Sequence, residues 1–216
     1  MSEAFERLKQ REQTLMCRTY SRYPLSVVRG KGSRLWDVDG KEYVDLLSGI
    51  AVIGLGHGNE EIADVMAEQA RKLIHVSNLF YQEEQLDYAE KLLSTSHASR
   101  VFFCNSGAES NEAAFKMARR YQRVVKGRDA WEILPLENCF HGRTFATLAA
   151  TGKHTEGFEP EMPGFGRVKW GDLDALERAI KPSTAAVMFE SIQGEGGVFP
   201  ISQEYADGVA QLCRDR

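Results

Sequence analysis

Three short runs in this sequence gather residue types able to hold an anion, a flat ring and a carboxylate. The first is Asn105-Ser106-Gly107-Ala108-Glu109-Ser110-Asn111-Glu112, which follows the apolar run Val101-Phe102-Phe103-Cys104. Small residues where a strand ends and a helix opens let the backbone approach a ligand. The free N–H groups and positive dipole end of the helix then favour phosphate. Gly107 would serve either that close approach or a dihedral that a Cβ disfavours. The same residues also read as an ordinary capped turn, with Ser106 as N-cap and Glu109 completing a capping box. The lysine of a P-loop and the spacing of a dinucleotide fingerprint are both missing, here and in Gly54-Leu55-Gly56-His57-Gly58-Asn59.

The second run is Cys139-Phe140-His141-Gly142-Arg143-Thr144. Phe140 can lay its face on a planar heteroaromatic ring, and Arg143 can clamp a carboxylate through two N–H groups. Taken singly, a core Phe and a surface Arg are the simpler readings, and His141 reads as a structural hydrogen-bonder before a catalytic base. The third run is Glu190-Ser191-Ile192-Gln193-Gly194-Glu195-Gly196-Gly197-Val198, with two acids five apart in a glycine-rich loop. Ligands in open α/β sheets bind off the carboxyl ends of the strands, so three such loops on one sheet would converge on one crevice.

The elements that must position these loops follow from periodicity. A polar helix and an extended arm occupy the first thirty or so residues, by composition. A hairpin follows, with short β-type runs over 34–38 and 43–47 around the turn signal Asp39-Gly40. Helices are predicted over 60–73 (Ile62, Val65, Met66, Ala70 and Leu73 on one face) and 83–94 (Leu86, Ala89, Leu92 and Leu93). Strand–helix alternation then begins. Strands are expected at 101–104, 132–139, 167–170 and 185–189. Helices are expected at 109–125 (Ala114, Met117, Ala118, Tyr121 and Val125 inward), at 173–180 behind an Asp172 cap, and after a Ser202 cap. The last helix turns Tyr205, Val209, Leu212 and Cys213 inward. This pattern predicts an α/β fold with a mostly parallel sheet covered by helices. The sheet looks unfinished, because Cys213-Arg214-Asp215-Arg216 closes a helix where another strand is due.

Composition narrows the function classes. The 216 residues are 43% hydrophobic and 27% charged, with 27 Lys and Arg against 31 Asp and Glu, a net charge of −4. That balance argues against a nucleic-acid binder and against attachment to an anionic membrane. No apolar run approaches the roughly 20 residues that span a bilayer, and the N-terminus has no apolar signal core. Cys17, Cys104, Cys139 and Cys213 have neither disulfide-scaffold nor zinc spacing, which fits reduced thiols in a cytoplasmic protein.

In order along the chain stand R-G-K-G-S-R-L-W-D-V-D-G-K-E-Y-V-D, L-G-H-G, H-V-S-N-L-F, N-S-G-A-E-S-N-E-A-A-F-K-M-A-R, F-H-G-R-T and I-Q-G-E-G-G-V. As an ordered set they resemble the class III (ω-amino) aminotransferases, fold-type-I enzymes that use pyridoxal 5'-phosphate. The resemblance covers essentially the whole chain and matches the N-terminal half of the family. It implies residues 1–60 as an N-terminal segment of the small domain with the hairpin, and 61–216 as the first part of the large cofactor-binding domain.

The resemblance further implies that Ser106, Gly107, Ala108 and Phe140 bind the cofactor, the first three at its phosphate and Phe140 against its pyridine. Arg143 would hold the substrate carboxylate, and Glu195 would gate the second half-reaction. The implied chemistry is transamination from an amino acid, N-acetylornithine or a related ω-amino donor, to a 2-oxo acid, 2-oxoglutarate, in arginine biosynthesis. Ornithine, succinylornithine or 4-aminobutyrate are alternative donors, and a non-catalytic cofactor-binding remnant is a further reading. The implied assembly is a cytoplasmic homodimer. Two positions depart from the family pattern: Ser191 stands where Pro is usual, and Asn59-Glu60 follow L-G-H-G where H-P is usual. The family's pyridine-pairing Asp and Schiff-base Lys are expected beyond Arg216. No catalytic residue is therefore assigned here, and the 216 residues alone are expected to be inactive.

Overall fold

The computed structural model describes residues 2–216. They form two compact units, the first running through Leu86 and the second from Asp87 to Arg216.

In the first unit, helix α1 (Glu3–Leu15) starts at Ser2, whose side chain accepts the Phe5 N–H. Strands β1 (Val27–Lys31), β2 (Arg34–Asp37) and β3 (Glu42–Val44) make an antiparallel sheet in that order. The predicted hairpin is present, and its turn is held by the buried Asp37. One carboxylate oxygen accepts the Asp39 and Lys41 N–H groups at 2.9 Å each, and the other accepts the Tyr43 hydroxyl at 2.7 Å. The glycines of R-G-K-G and L-G-H-G prove structural. Gly32 and His57 exchange two backbone hydrogen bonds of 2.7 and 2.9 Å, and a Cβ on Gly30 would lie 2.6 Å from that of His57. His57 Nε2 also meets Asp45 Oδ2 at 2.6 Å, while Asp45 accepts the Leu47 and Ser48 N–H groups that open the single turn α2 (Ser48–Ala51). Helix α3 (Glu60–Lys72) follows an Asn59 cap, and α4 (Glu83–Leu93) crosses the unit boundary. Both helices form where periodicity placed them, but neither contains a buried residue; Val65 and Met66 are 66% and 67% exposed. An amphipathic pattern fixes which face is apolar and leaves open what covers it.

The second unit is built on β4 (Glu132–Pro135) and β5 (Thr184–Met188), which pair in parallel. Residues 165–168 flank β4 on its other side through parallel bridges at Ile133–Phe165 and Leu136–Val168. The pleat divides the core by alternate residues. Leu134 and Leu136 pack with Val168, Leu176, Tyr205 and Val209, under α7 (Leu173–Ala179) and α8 (Gln203–Asp215). Ile133 points the other way, into Phe115, Ala146 and Ala150 of α5 (Gly107–Arg120) and α6 (Phe145–Thr151). Helices thus cover both faces, as the alternation predicted. The predicted caps Asp172 and Ser202 accept the Ala175 and Tyr205 N–H groups. A short antiparallel hairpin, β6 (Ile192–Gln193) with β7 (Phe199–Pro200), precedes α8.

Four expectations are corrected. Val101–Cys104 is not a strand, because it finds no ladder partner among the described residues; Phe103 instead stacks on Tyr88 at 5.8 Å. The inward face of α5 is centred on Phe115, which meets Phe165 edge-on at 5.1 Å, whereas Ala114, Met117, Tyr121 and Val125 are exposed. A π-helical turn over Tyr121–Val125 shifts the helical phase there, so a uniform 3.6-residue count misplaces the last two. On α8, Tyr205 and Val209 are buried and Leu212 is half-buried, but Cys213 is exposed. Finally, α6 stands where no helix was expected. Five of its seven residues are buried, so it has no polar stripe to give it a period.

Candidate active site

Since β4 and β5 run side by side in the same direction, the loops leaving their carboxyl ends, 137–143 and 189–197, are neighbours. The N-terminus of α5 joins them, so the three runs converge within the second unit.

At that N-terminus Ser106 Oγ accepts the Glu109 N–H at 3.2 Å. Glu109 reaches back to the Asn105 N–H at 2.7 Å, one residue beyond the Ser106 N–H that a capping box requires. The helix has no carbonyl one turn earlier for the N–H groups of Gly107 and Ala108. Gly107 does not have a positive φ, and a Cβ built on it meets nothing within 4 Å. Gly107 therefore adopts no dihedral that a Cβ disfavours, and the space above the helix end is open.

The F-H-G-R-T loop is pressed onto the same helix end through Gly142. Its φ is +127°, and a Cβ there would stand 2.7 Å from Thr147 Oγ1 and 2.9 Å from Ala108 Cβ. Asn111 Nδ2 donates to the His141 carbonyl at 2.7 Å, and the Thr144 hydroxyl donates to Glu112. Thr144 also caps α6, and its own N–H donates to Thr147 Oγ1 at 2.9 Å. Phe140 is half-buried, and the exposed Arg143 holds its Cζ 5.8 Å from the Phe140 ring centroid. His141 is buried. Its backbone is the hydrogen-bonding part, the N–H donating to Thr151 Oγ1 at 2.9 Å, while its Nε2 has no partner among the described residues. Burial pushes its pKa down and the nearby Glu190 carboxylate opposes this, so the imidazole is neutral at pH 7.

The third loop is tied to the second. Glu190 Oε1 accepts the Phe140 N–H at 2.8 Å, and its Oε2 accepts the Gly194 N–H at 3.2 Å. Buried Gln193 donates to the Glu137 carbonyl at 2.7 Å. Glu195 sits exposed in the turn just after Gly194. Asn111, Glu112 and Gln193 lie in the runs singled out from sequence but had no role there, and Thr147 and Thr151 were not picked as site residues. For Thr147, Thr144-x-x-Thr147 ahead of Gly152 was the available signal, an N-cap and a C-cap bracketing seven residues. Among the described residues no group of His, Cys, Asp or Glu could hold a metal ion, and no helix is long and apolar enough to cross a membrane.

The arrangement therefore brings together the α5 N-terminus, with its first N–H groups unpaired within the helix, the loop that carries the half-buried Phe140, and the exposed Arg143 guanidinium on that same loop. These fit pyridoxal phosphate: the open space over Gly107 admits a phosphate group, and Phe140 lies on the loop packed against Ala108.

The family model for class III aminotransferases matches residues 15–216. The acetylornithine aminotransferase of Methanocaldococcus jannaschii is 46% identical over 199 residues, covering 91% of this chain and 50% of its own length. A Pseudomonas aeruginosa protein named succinylornithine transaminase/acetylornithine aminotransferase is 48% identical over 188 residues, covering 86% and 46%. Among solved structures, the ornithine aminotransferase of Toxoplasma gondii superposes with a TM-score of 0.92 at 30% identity, over 99% of this chain and 52% of that one. The N-acetylornithine aminotransferase of Stenotrophomonas maltophilia gives 0.77 at 38%, over 95% and 50%. The chain thus spans about half the length of the relatives it matches. The family's cofactor is pyridoxal phosphate. With a family match over nearly all of its length and relatives at almost half identity, this chain belongs to the class III aminotransferases.

Proposed function

We propose that the protein carrying this chain transfers an amino group from N-acetylornithine, or a close ω-amino relative, to 2-oxoglutarate, as a cytoplasmic homodimer in arginine biosynthesis. Bound pyridoxal phosphate supplies an electron sink and a temporary carrier for the amino group. The N–H groups of Gly107 and Ala108 hold its phosphate at the positive end of α5, with the Ser106 hydroxyl beside them. Phe140 covers one face of the ring and excludes water from it. Arg143 orients the donor through its carboxylate in a two-point grip. Glu195, exposed in the 189–197 loop, admits the dicarboxylate acceptor in the second half-reaction. The proton-moving lysine is assigned to none of these 216 residues.

The observation that supports this most is the Gly142 contact, which sets the Phe140–Arg143 loop directly on the α5 N-terminus. The donor is favoured by the relatives named for acetylornithine; the Pseudomonas aeruginosa relative, named for both substrates, supports N-succinylornithine as a second donor. The test uses the complete protein with 2-oxoglutarate and, separately, N-acetylornithine, N-succinylornithine, ornithine and 4-aminobutyrate. Glutamate release should be fastest with one of the acylated donors. Preference for 4-aminobutyrate or free ornithine would overturn the donor assignment, and no glutamate from any of the four would overturn the activity.

A further inference from the structure

Glu190 uses both oxygens of one carboxylate on backbone N–H groups of different loops: Phe140, fifty residues earlier, at 2.8 Å, and Gly194 at 3.2 Å. Phe140 is the ring-covering residue of the reading above, and Gly194 immediately precedes Glu195. Two further contacts run the same way. Gln193 donates to the Glu137 carbonyl at 2.7 Å, and a Cβ on Gly196 would stand 2.9 Å from the Asn138 carbonyl oxygen. A connector between β5 and β6 needs none of this. A half-buried carboxylate that accepts one N–H group on each oxygen restricts both peptides, the Phe140 bond being the shorter of the two.

We infer that Glu190 is a positioning residue that locks the Phe140 peptide and the Glu195 hairpin into one register, so that the ring seat and the acceptor gate are set by the same carboxylate. This rests on the proposed roles of Phe140 and Glu195. Glu190 itself touches neither cofactor nor substrate in this scheme.

Glu190→Gln is nearly isosteric and leaves one acceptor oxygen where there were two. Glu190→Asp keeps the charge but is too short to span both N–H groups, and serves should the first variant fold poorly. In the complete protein, freed of cofactor, amide hydrogen exchange at Phe140 or Gly194 should quicken tenfold or more in either variant, with Leu134 in β4 unchanged. Pyridoxal phosphate, titrated by absorbance, should bind about tenfold more weakly. Inorganic phosphate, measured as a competitor, should keep its affinity within twofold, since the α5 N-terminus is not touched. Unchanged exchange at both amides overturns the clamp. Parallel loss of pyridoxal phosphate affinity, phosphate affinity and melting temperature overturns the positioning role in favour of general destabilisation. If exchange quickens but pyridoxal phosphate binds as before, Glu190 clamps loops without setting the ring seat, and the inference fails. If the wild-type protein does not bind pyridoxal phosphate, the failure belongs to the functional reading, and the exchange result still judges the clamp by itself.

Discussion

Gly107→Ala should make the protein more stable and a worse cofactor binder, and the two effects can be sized separately. Gly107 is the first residue of α5, it does not have a positive φ, and an added methyl meets no atom within 4 Å. Nothing in the fold opposes alanine there. Replacing glycine at a compatible position stabilises by about 0.4–1 kcal/mol, through the unfolded chain. The same methyl occupies the space a phosphate needs to reach the Gly107 and Ala108 N–H groups. Losing one hydrogen bond to a charged acceptor costs about 1.5–3 kcal/mol, which is about 10- to 150-fold in dissociation constant. Urea melts of cofactor-free protein give the first quantity, and absorbance titration with pyridoxal phosphate gives the second. A variant that is stabilised yet binds pyridoxal phosphate as tightly as the wild type would refute the phosphate reading and leave only a capped turn. A destabilised variant would refute the claim that the space is open.

Other perturbations test other links. Gly142→Ala combines a φ of +127° with a Cβ 2.7 Å from Thr147 Oγ1; strain and overpacking of roughly 1–3 kcal/mol each should lower the urea midpoint and weaken cofactor binding together. Arg143→Ala should weaken donor binding by about 2–4 kcal/mol, as unpairing a hydrogen-bonded charge does, with cofactor absorbance unchanged; cofactor loss with donor affinity kept would show its role to be different. Cys139 is buried and its thiol is pushed up to about 11 by desolvation, so at pH 8 a thiol reagent should modify the exposed Cys17, Cys104 and Cys213 and spare it until the protein unfolds. Asp37 and Asp45 have lowered pKa values, chiefly through hydrogen bonds from Tyr43 and His57 respectively. Such carboxylates stabilise the fold above their unfolded pKa of about 3.9, and this is lost as pH falls through the lower folded values. Stability followed by circular dichroism should therefore drop below about pH 4, and less steeply in Asp37→Asn.

Local chemistry was legible in the sequence wherever one or two residues decide a conformation. Asp39-Gly40 marks its turn, and Asp172 and Ser202 mark helix starts, because each acts on backbone groups within a few residues. The ordered motifs likewise pointed to the loops that converge at the site. What escaped depends on partners far along the chain. Val101–Cys104 has strand composition, but a strand exists only with a neighbour. The buried side of α5 is settled by Phe165 and Ile133, and α6 disappears from any periodicity count because it is covered nearly all round. Glu190 was visible as an acid in a glycine-rich loop, yet its use on the Phe140 N–H spans fifty residues and leaves no local mark.

The parallel pairing of β4 with β5 also sets a timetable. Glu132 pairs with Thr184 and Pro135 with Met188, so the chain must close a loop of about fifty residues before that ladder exists. Helices α5 and α8 draw on local hydrogen bonds and can flicker earlier, whereas non-local ladders are slow to nucleate. The loops carrying Phe140 and Glu195 both leave the far ends of those two strands. The candidate site is therefore assembled by a slow, non-local class of contact, and on the proposed reading tight capture of pyridoxal phosphate reports that this ladder has formed.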